Sequence, residues 1–323
     1  MGEHGLGRPR AGRRSAILPG MAANPRIAIV GAGNLATALA LSLHRAAYEI
    51  DAIVARSAGG SLRKAQRLAK QVGSRAVAGL TNSVRSDVIW LCVPDSEIGV
   101  AARAAATKID WEGKVALHSS GALTSEELAP LRRRGAAVAS AHPLMTFARG
   151  SSSGRLNFGQ SSLSLAGVPF AVEGDAKAVR VARGLIAAMG GQAYAIRKRD
   201  KVAYHAWGMF ASPLLDALLA ATERVAAAAS VRPKEARRRM IPILLQTLAN
   251  YASFGGPGSF SGPIVRGDVD TVRKHLRVLR NDPTLLDVYT ALARAALEYL
   301  PAKKKDQLRQ VLGSDPRGRA ARR

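Results

Sequence analysis

Residues 26–40 constrain this chain more than any other stretch. Ile27, Ala28, Ile29 and Val30 form an apolar run that reads as a buried parallel strand; a turn broken by Gly31 and Gly33 follows at once, and Asn34, Leu35, Ala36 and the small residues to Ala40 continue with helical spacing. The pattern is strand, turn, helix, in the form G-x-G-x-x-A. In such a turn the first glycine permits the tight bend. The second leaves the backbone open to a pyrophosphate, and the small residue at Ala36 lets helix and strand pack closely. The unpaired N–H groups and positive dipole end of the new helix make an anion site without any charged side chain. The stretch therefore predicts a doubly wound α/β domain that binds a dinucleotide, with Gly31, Gly33, Asn34, Leu35 and Ala36 at the cofactor.

A second strand, in the stretch 48–57, ends about 20 residues past the glycines, where an NAD site usually presents an acid to the ribose 2′-hydroxyl. Here the chain has Arg56 and Ser57, with Arg63 and Lys64 one turn into the next helix. A guanidinium and a hydroxyl suit a 2′-phosphate, which favours NADP over NAD. The plainer alternative for Arg56 is a solvated strand-end arginine.

A formal charge of +25 on 323 residues raises the question of nucleic acid. Residues 1–24 hold four arginines and one acid (+3), residues 301–323 hold eight basic and two acidic residues (+6), and the remaining +16 is spread over the body. Without an aromatic-interleaved basic stripe or zinc-finger spacing, specific nucleic-acid binding is not expected, and salt-dependent attraction to polyanions is. Cys92 is the single cysteine and lies in an apolar strand, so no internal disulfide forms. No uncharged apolar run approaches the ~20 residues of a membrane span, and the N-terminus has no signal-type apolar segment. A cytoplasmic location follows as an expectation, as does a disordered basic leader over 1–24, with Met21 just ahead of the first strand. No metal ligands are assigned.

The expected domain layout is a Rossmann domain over 25–198, with 166–198 as a βαβ extension, followed by an α-helical substrate and dimerisation domain over 199–302 and a disordered basic tail over 303–323. Strands are expected at 75–78, 87–95, 114–118, 136–141, 169–173 and 193–196. Helices are expected at 60–71, 176–189, 199–229, 233–252, 269–279 and 284–300. Thr124 and Glu127 read as a capping box, and residues 148–165, rich in serine and glycine, as a flexible loop beside the cleft. The small apolar residues of 217–228 exceed what one domain readily buries, which points to a homodimer.

Ligand contacts in such a sheet come from carboxyl ends of strands. This places Val93, Pro94 and Asp95 beside the cofactor, with capping of the next helix as the favoured role of Asp95. It also places His118, Ser119, Ser120 and His142 at the substrate. The serines can donate to a substrate oxygen, and His142 can act as acid, base or orienting donor, while strand alternation points His118 into the core. Lys201 and His205, at i and i+4, share a helix face near the predicted cleft, where a desolvated lysine is suited to proton exchange. Arg266, between two glycine-broken helices, can hold an anionic group; Asp268 can cap the helix from Val269, and Asn281 or Asp282 the helix at 284–300.

Taken together, Ile29–Ala36, Cys92–Ser96, His118–Leu123, Ala141–Leu144, Tyr204–Ala206 and Gly262–Asp268 resemble a bacterial family that joins a Rossmann-like NADP oxidoreductase domain to a C-terminal helical domain of unknown function. The resemblance covers about Arg26 to Leu300. Its wider relatives are enzymes of the 6-phosphogluconate dehydrogenase, pyrroline-5-carboxylate reductase and prephenate dehydrogenase type, whose helical domains commonly build dimers. It implies that Lys201 corresponds to the catalytic lysine of β-hydroxyacid dehydrogenases, with His205 where those enzymes have asparagine. His142-Pro143 with Ser119 and Ser120 is similar to the histidine and serine pair of prephenate dehydrogenases. The expected activity is hydride transfer between a nicotinamide and a small polar, anionic substrate; a non-catalytic NADP-binding regulator is the alternative.

Overall fold

A computed structural model describes residues 24–147 and 164–313. The leader, the serine- and glycine-rich loop up to residue 163 and the end of the tail lie outside the described residues. The chain divides into two compact units, one through Gly208 and one from Met209.

The first unit alternates strand and helix: β1 (Ile27–Val30), α1 (Asn34–Arg45), β2 (Ile50–Ala55), α2 (Gly60–Gln71), β3 (Arg75–Ala78), β4 (Val88–Leu91), α3 (Asp95–Ala105), β5 (Val115–His118), α4 (Ala129–Arg132), β6 (Ala137–Pro143), β7 (Pro169–Gly174), α5 (Ala176–Ala188) and β8 (Gln192–Ala195). The strands form one sheet in the order β3-β2-β1-β4-β5-β6-β7-β8, parallel throughout except where β7 runs antiparallel to β6. Strands β1, β4 and β5 are buried on both faces, as their unbroken apolar runs require. One face packs on α1, α2 and α5 through Leu39, Leu68 and Leu185; the other packs on α3 and α4 through Ile98, Ala102 and Leu131. The result is the expected three-layer, doubly wound, mostly parallel architecture.

The helical region differs from expectation in three places. The helix expected over 199–229 is a 3₁₀ turn (Lys198–Asp200), then α6 (Lys201–Ala211), then α7 (Pro213–Ala228). Pro213 supplies no N–H and pushes Ser212 out of the helical region, so the helix restarts there. The next helix, α8 (Pro233–Ser259), runs past 252 through a break at Gly255, whose φ is 67°. After α9 (Pro263–Arg266), α10 (Val269–Leu279) and α11 (Pro283–Tyr299), the tail expected to be disordered instead forms α12 (Lys305–Gly313). Its Leu308 and Leu312 close a core with Val272, Leu276, Leu286 and Leu297. A four-residue spacing of leucines within a basic stretch is enough to bury one helix face. Asp268 and Asp282 cap α10 and α11 as read from sequence.

Candidate active site

The β1–α1 turn sits at the carboxyl edge of the central strands. Gly31 has φ +115°, and a Cβ there would lie 2.4 Å from the carbonyl oxygen of Cys92, so the protein itself demands glycine. Gly33 is different. It is the exposed N-cap of α1 with φ −81°, and a methyl group added to it meets no protein atom within 4 Å. No side chain caps α1, and its first turn carries no acid. Asn34 donates from Nδ2 to the carbonyl of Phe147 at 2.7 Å, tying the turn to the segment after β6. Leu35 is half-buried, while Ala36 is fully buried and lets α1 close on the sheet. Arg56 is exposed at the end of β2 and pairs with Glu97 of α3 at 3.2 Å; Ser57 is exposed beside it. Val93 is half-buried and Pro94 is the exposed N-cap residue of α3.

Asp95 does not cap α3. It is the first helical residue, and its Oδ2 instead accepts a hydrogen bond from Ser120 Oγ at 2.7 Å. That bond belongs to a network around Ser119 and Ser120. Ser120 Oγ also accepts from the N–H groups of Ala122 and Leu123, Ser120 N–H donates to His118 Nδ1, and the Ser120 carbonyl accepts from both Ser140 Oγ and Lys201 Nζ. Ser119 Oγ accepts from the indole N–H of Trp90 at 2.8 Å. Ser120 thus spends its hydroxyl hydrogen on Asp95, while Ser119 accepts from Trp90. His118, fully buried, is the structural residue expected. Thr124 caps the 3₁₀ turn Ser125–Leu128, but Glu127 does not complete a capping box; its carboxylate lies against Gly99.

Lys201 is desolvated, as expected, and lies beneath this loop. Its side chain is 1 % exposed; Nζ donates to the Ser120 carbonyl at 2.9 Å and to Ser140 Oγ at 2.5 Å, and stands 3.9 Å from Glu173 Oε1. Burial pulls the ammonium down to about 8, against the opposing charges of Glu173 and Asp95. Glu173, on β7 opposite Ser140 of β6, is itself buried and accepts from Ser125 N–H and Oγ. Sequence reasoning missed this carboxylate. A lone acid inside the apolar run of β7 was the available signal.

His142 and His205 are the two groups the structure brings together on the outer side of this network. Their rings meet edge to face at 6.3 Å on either side of Gly121, where a Cβ would lie 2.8 Å from His205 Cδ2 and 2.9 Å from His142 Nε2. Both are half-buried. Burial, with the charges of Lys201 and His205, holds His142 down at about 4, so it is uncharged at neutral pH. Its Nδ1 is 2.8 Å from the hydroxyl of Tyr204, a buried residue of α6 to which sequence reasoning gave no role. Arg266 is exposed at the end of α9, in the second unit, next to Asp268.

Comparison with known proteins agrees with this architecture. Residues 19–143 match the family described as a Rossmann-like domain, and residues 168–296 match the domain of unknown function DUF2520. A search of curated proteins finds no match. Among solved structures, a Bacteroides fragilis protein with a provisional NADP oxidoreductase designation is 18 % identical, with a TM-score of 0.68 over 84 % of this chain and 97 % of its own. A Thermotoga maritima protein is 21 % identical, with a TM-score of 0.61 over 90 % and 99 %. A reductive aminase from Aspergillus terreus, solved with NADPH and ethyl-5-oxohexanoate, is 12 % identical, with a TM-score of 0.60 over 89 % and 99 %. At these identities the likeness is one of fold. No helix among the described residues is long and apolar enough to cross a membrane.

Proposed function

We infer that this chain, which joins a Rossmann-like domain to the domain of unknown function DUF2520, is an NADP-dependent oxidoreductase acting on a small polar substrate in the cytoplasm. The observation that carries the reading is the contrast between the two glycines of the first turn. Gly31 is required by the polypeptide's own packing; Gly33 is required by nothing in the polypeptide. A glycine kept clear at the N-cap of an uncapped helix fits a backbone that a pyrophosphate approaches.

When bound, NADPH would supply hydride to an electrophilic carbon. Gly31, Gly33 and the first N–H groups of α1 would hold its pyrophosphate, and Arg56 with Ser57 its 2′-phosphate. His142 would orient the substrate's heteroatom, and His205, across Gly121, would deliver the proton that this atom takes up. Lys201, Ser119 and Ser120 support the reading indirectly, by fixing the loop whose Gly121 lies between the two histidines. The aminase solved with NADPH and the designation of the Bacteroides protein are in line with this chemistry.

The chain also fits a homodimer. α7 buries none of its side chains fully and α8 buries Ala236 alone, while Leu248, Tyr251 and Phe254 stand exposed at intervals of three on α8. A second copy is the occupant of matching chemistry, and mass from light scattering tests it.

The cofactor reading is tested by titrating the protein with NADPH and NADH, then repeating on Gly33→Val. The added Cβ meets no described protein atom within 4 Å, so the melting temperature should hold within a few degrees while NADPH affinity falls roughly tenfold or more, a change of about 1.4 kcal/mol or larger. Failure of both nucleotides to bind at millimolar concentration would remove the reading.

A further inference from the structure

The pairing of Tyr204 with His142 carries more information than a contact. The phenol is buried, and its hydroxyl lies 2.8 Å from Nδ1, with the rings edge to face at 5.5 Å. Burial pushes this phenol well above its ordinary range, so it keeps its proton. A buried O–H needs an acceptor. The phenol of Tyr194 also acts on Tyr204 and raises it further, but among the described residues the partner within hydrogen-bond distance of the Tyr204 hydroxyl is Nδ1. Were the hydrogen of His142 on Nδ1, the Tyr204 oxygen would accept it and the buried phenol hydrogen would need a different acceptor. An uncharged imidazole carries one N–H, so an accepting Nδ1 places the hydrogen on Nε2. Nε2 in turn lies beside Gly121, at a point where even a methyl group would collide with it and with His205.

We propose that Tyr204 is a positioning residue that fixes His142 as an Nε2–H donor, directed past Gly121 at an uncharged acceptor on the substrate, a carbonyl oxygen or an imine nitrogen. The proposal deepens the oxidoreductase reading and rests on it for the identity of the reaction. A neutral N–H polarises a C=O or C=N bond without giving up its hydrogen. With the hydride that a bound NADPH would supply to the carbon, the π pair would move to the heteroatom. The Nε2–H bond strengthens there. The proton that completes the product would pass through His205 and be replaced from solvent. Tyr204 does not relay a proton, since that would leave a buried phenolate. A carboxylate gains little from an uncharged donor, so the site selects the reducible C=O or C=N group and the substrate's anionic end lies elsewhere.

The test is long-range ¹H–¹⁵N NMR of the histidine rings at pH 7, in the full-length protein and in Tyr204→Phe. The expected spectrum shows His142 uncharged with its hydrogen on Nε2, and the Phe variant shows a mixture of both tautomers. An Nδ1–H tautomer, a charged ring, or a spectrum unmoved by Tyr204→Phe would overturn the proposal whatever the protein's activity. With NADPH and a panel of small aldehydes, ketones and cyclic imines, Tyr204→Phe should lower kcat roughly tenfold with KM for NADPH unchanged. His142→Gln, whose amide N–H reaches about the place of Nε2–H, should keep more turnover than His142→Leu; equal loss in the two refutes the donor role. Should Tyr204→Phe fail to fold, the wild-type tautomer and the Gln–Leu comparison still decide. A correct tautomer without turnover on any C=O or C=N compound would instead count against the oxidoreductase reading.

Discussion

Replacing Lys201 with methionine separates a structural ammonium from a catalytic one. The side chain fits the same volume, but Met gives up hydrogen bonds to the Ser120 carbonyl and Ser140 Oγ and the pairing with Glu173. Hydrogen bonds from a charged group contribute about 1.5–3 kcal/mol each, and removing one member of a buried pair costs about 3–5 kcal/mol. Against this stands the relief of desolvation. The ammonium's fall from its ordinary 10.5 to about 8, at about 1.36 kcal/mol per pH unit, puts the desolvation cost left over after the attraction of Glu173 and Asp95 at about 3 kcal/mol. Glu173 keeps its two bonds from Ser125, which softens the loss. The net expectation is a destabilisation of about 2–4 kcal/mol at pH 7, read from urea unfolding. The pH dependence gives a second signature. Between pH 8 and 10.5 the unfolded lysine is protonated and the folded one is not, so the unfolded state binds more protons and wild-type stability rises with pH. Lys201→Met lacks that rise. The gap between the two proteins should therefore widen by about 2–3 kcal/mol from pH 8 to pH 10, with the titration of other groups cancelling in the difference. A gap below about 1 kcal/mol at pH 7, or one that does not change between pH 8 and 10, would refute the buried network and return Lys201 to the role of an accessible acid–base group.

Acid should unfold the first unit through its histidines. His118 and His142 are both held at about 4, each chiefly by burial, so the unfolded state takes up two protons that the native state refuses as pH falls from 6.5 toward 4. Stability should drop with a slope approaching about 2.7 kcal/mol per pH unit, and His118→Asn, which keeps an acceptor for Ser120 N–H, should flatten it by about half in urea titrations at pH 7, 6 and 5. Glu97→Gln releases Arg56 from its exposed ion pair, and because such pairs are worth at most about 1 kcal/mol, NADPH affinity should rise up to about fivefold with NADH unaffected; equal tightening of both nucleotides would separate Arg56 from the 2′-phosphate. Leu308→Ala should cost about 3 kcal/mol in the thermal unfolding of the helical unit, since its side chain is fully buried on α12, whereas a change within a few tenths would mean that the basic tail contributes no core.

The fold was legible because its signals are local. Apolar runs of four residues, glycines at the first turn and capping aspartates at 268 and 282 each act within one turn of chain, and the sheet follows once β1, β2 and β4 are recognised. The site was legible only in part. Spacing places Lys201 and His205 on one side of α6, yet whether that side meets water or protein is decided by β5, β6 and β7. Glu173 comes opposite Ser140 only because β7 runs antiparallel to β6, a pairing with no local signature. The same holds for Ser120: a Ser-Ser-Gly at a strand end looks like a donor loop until the groups that occupy its hydroxyl are known. Tyr204 stood beside His205 in sequence and was passed over, since a buried aromatic on a helix is ordinarily core. Its hydroxyl acquires meaning only through His142, 62 residues away.

The buried lysine and the neutral histidine belong to one electrostatic arrangement. His142 is held uncharged first by burial and next by the positive charge of Lys201, with Asp95 acting in the opposite direction. The sheet thus pays a desolvation cost at Lys201 and gains an imidazole that stays neutral without relying on burial alone. In Lys201→Met the repulsion vanishes while Asp95 remains, so His142 should titrate at a higher pH than in the wild type. Burial persists, so it should still titrate below 6.5. Chemical shifts of the His142 ring between pH 4 and 7 measure this directly, in the same variant used for the stability comparison. A titration that does not move would mean that the lysine secures the loop by hydrogen bonds alone, and that the neutrality of His142 owes nothing to the charge beneath it.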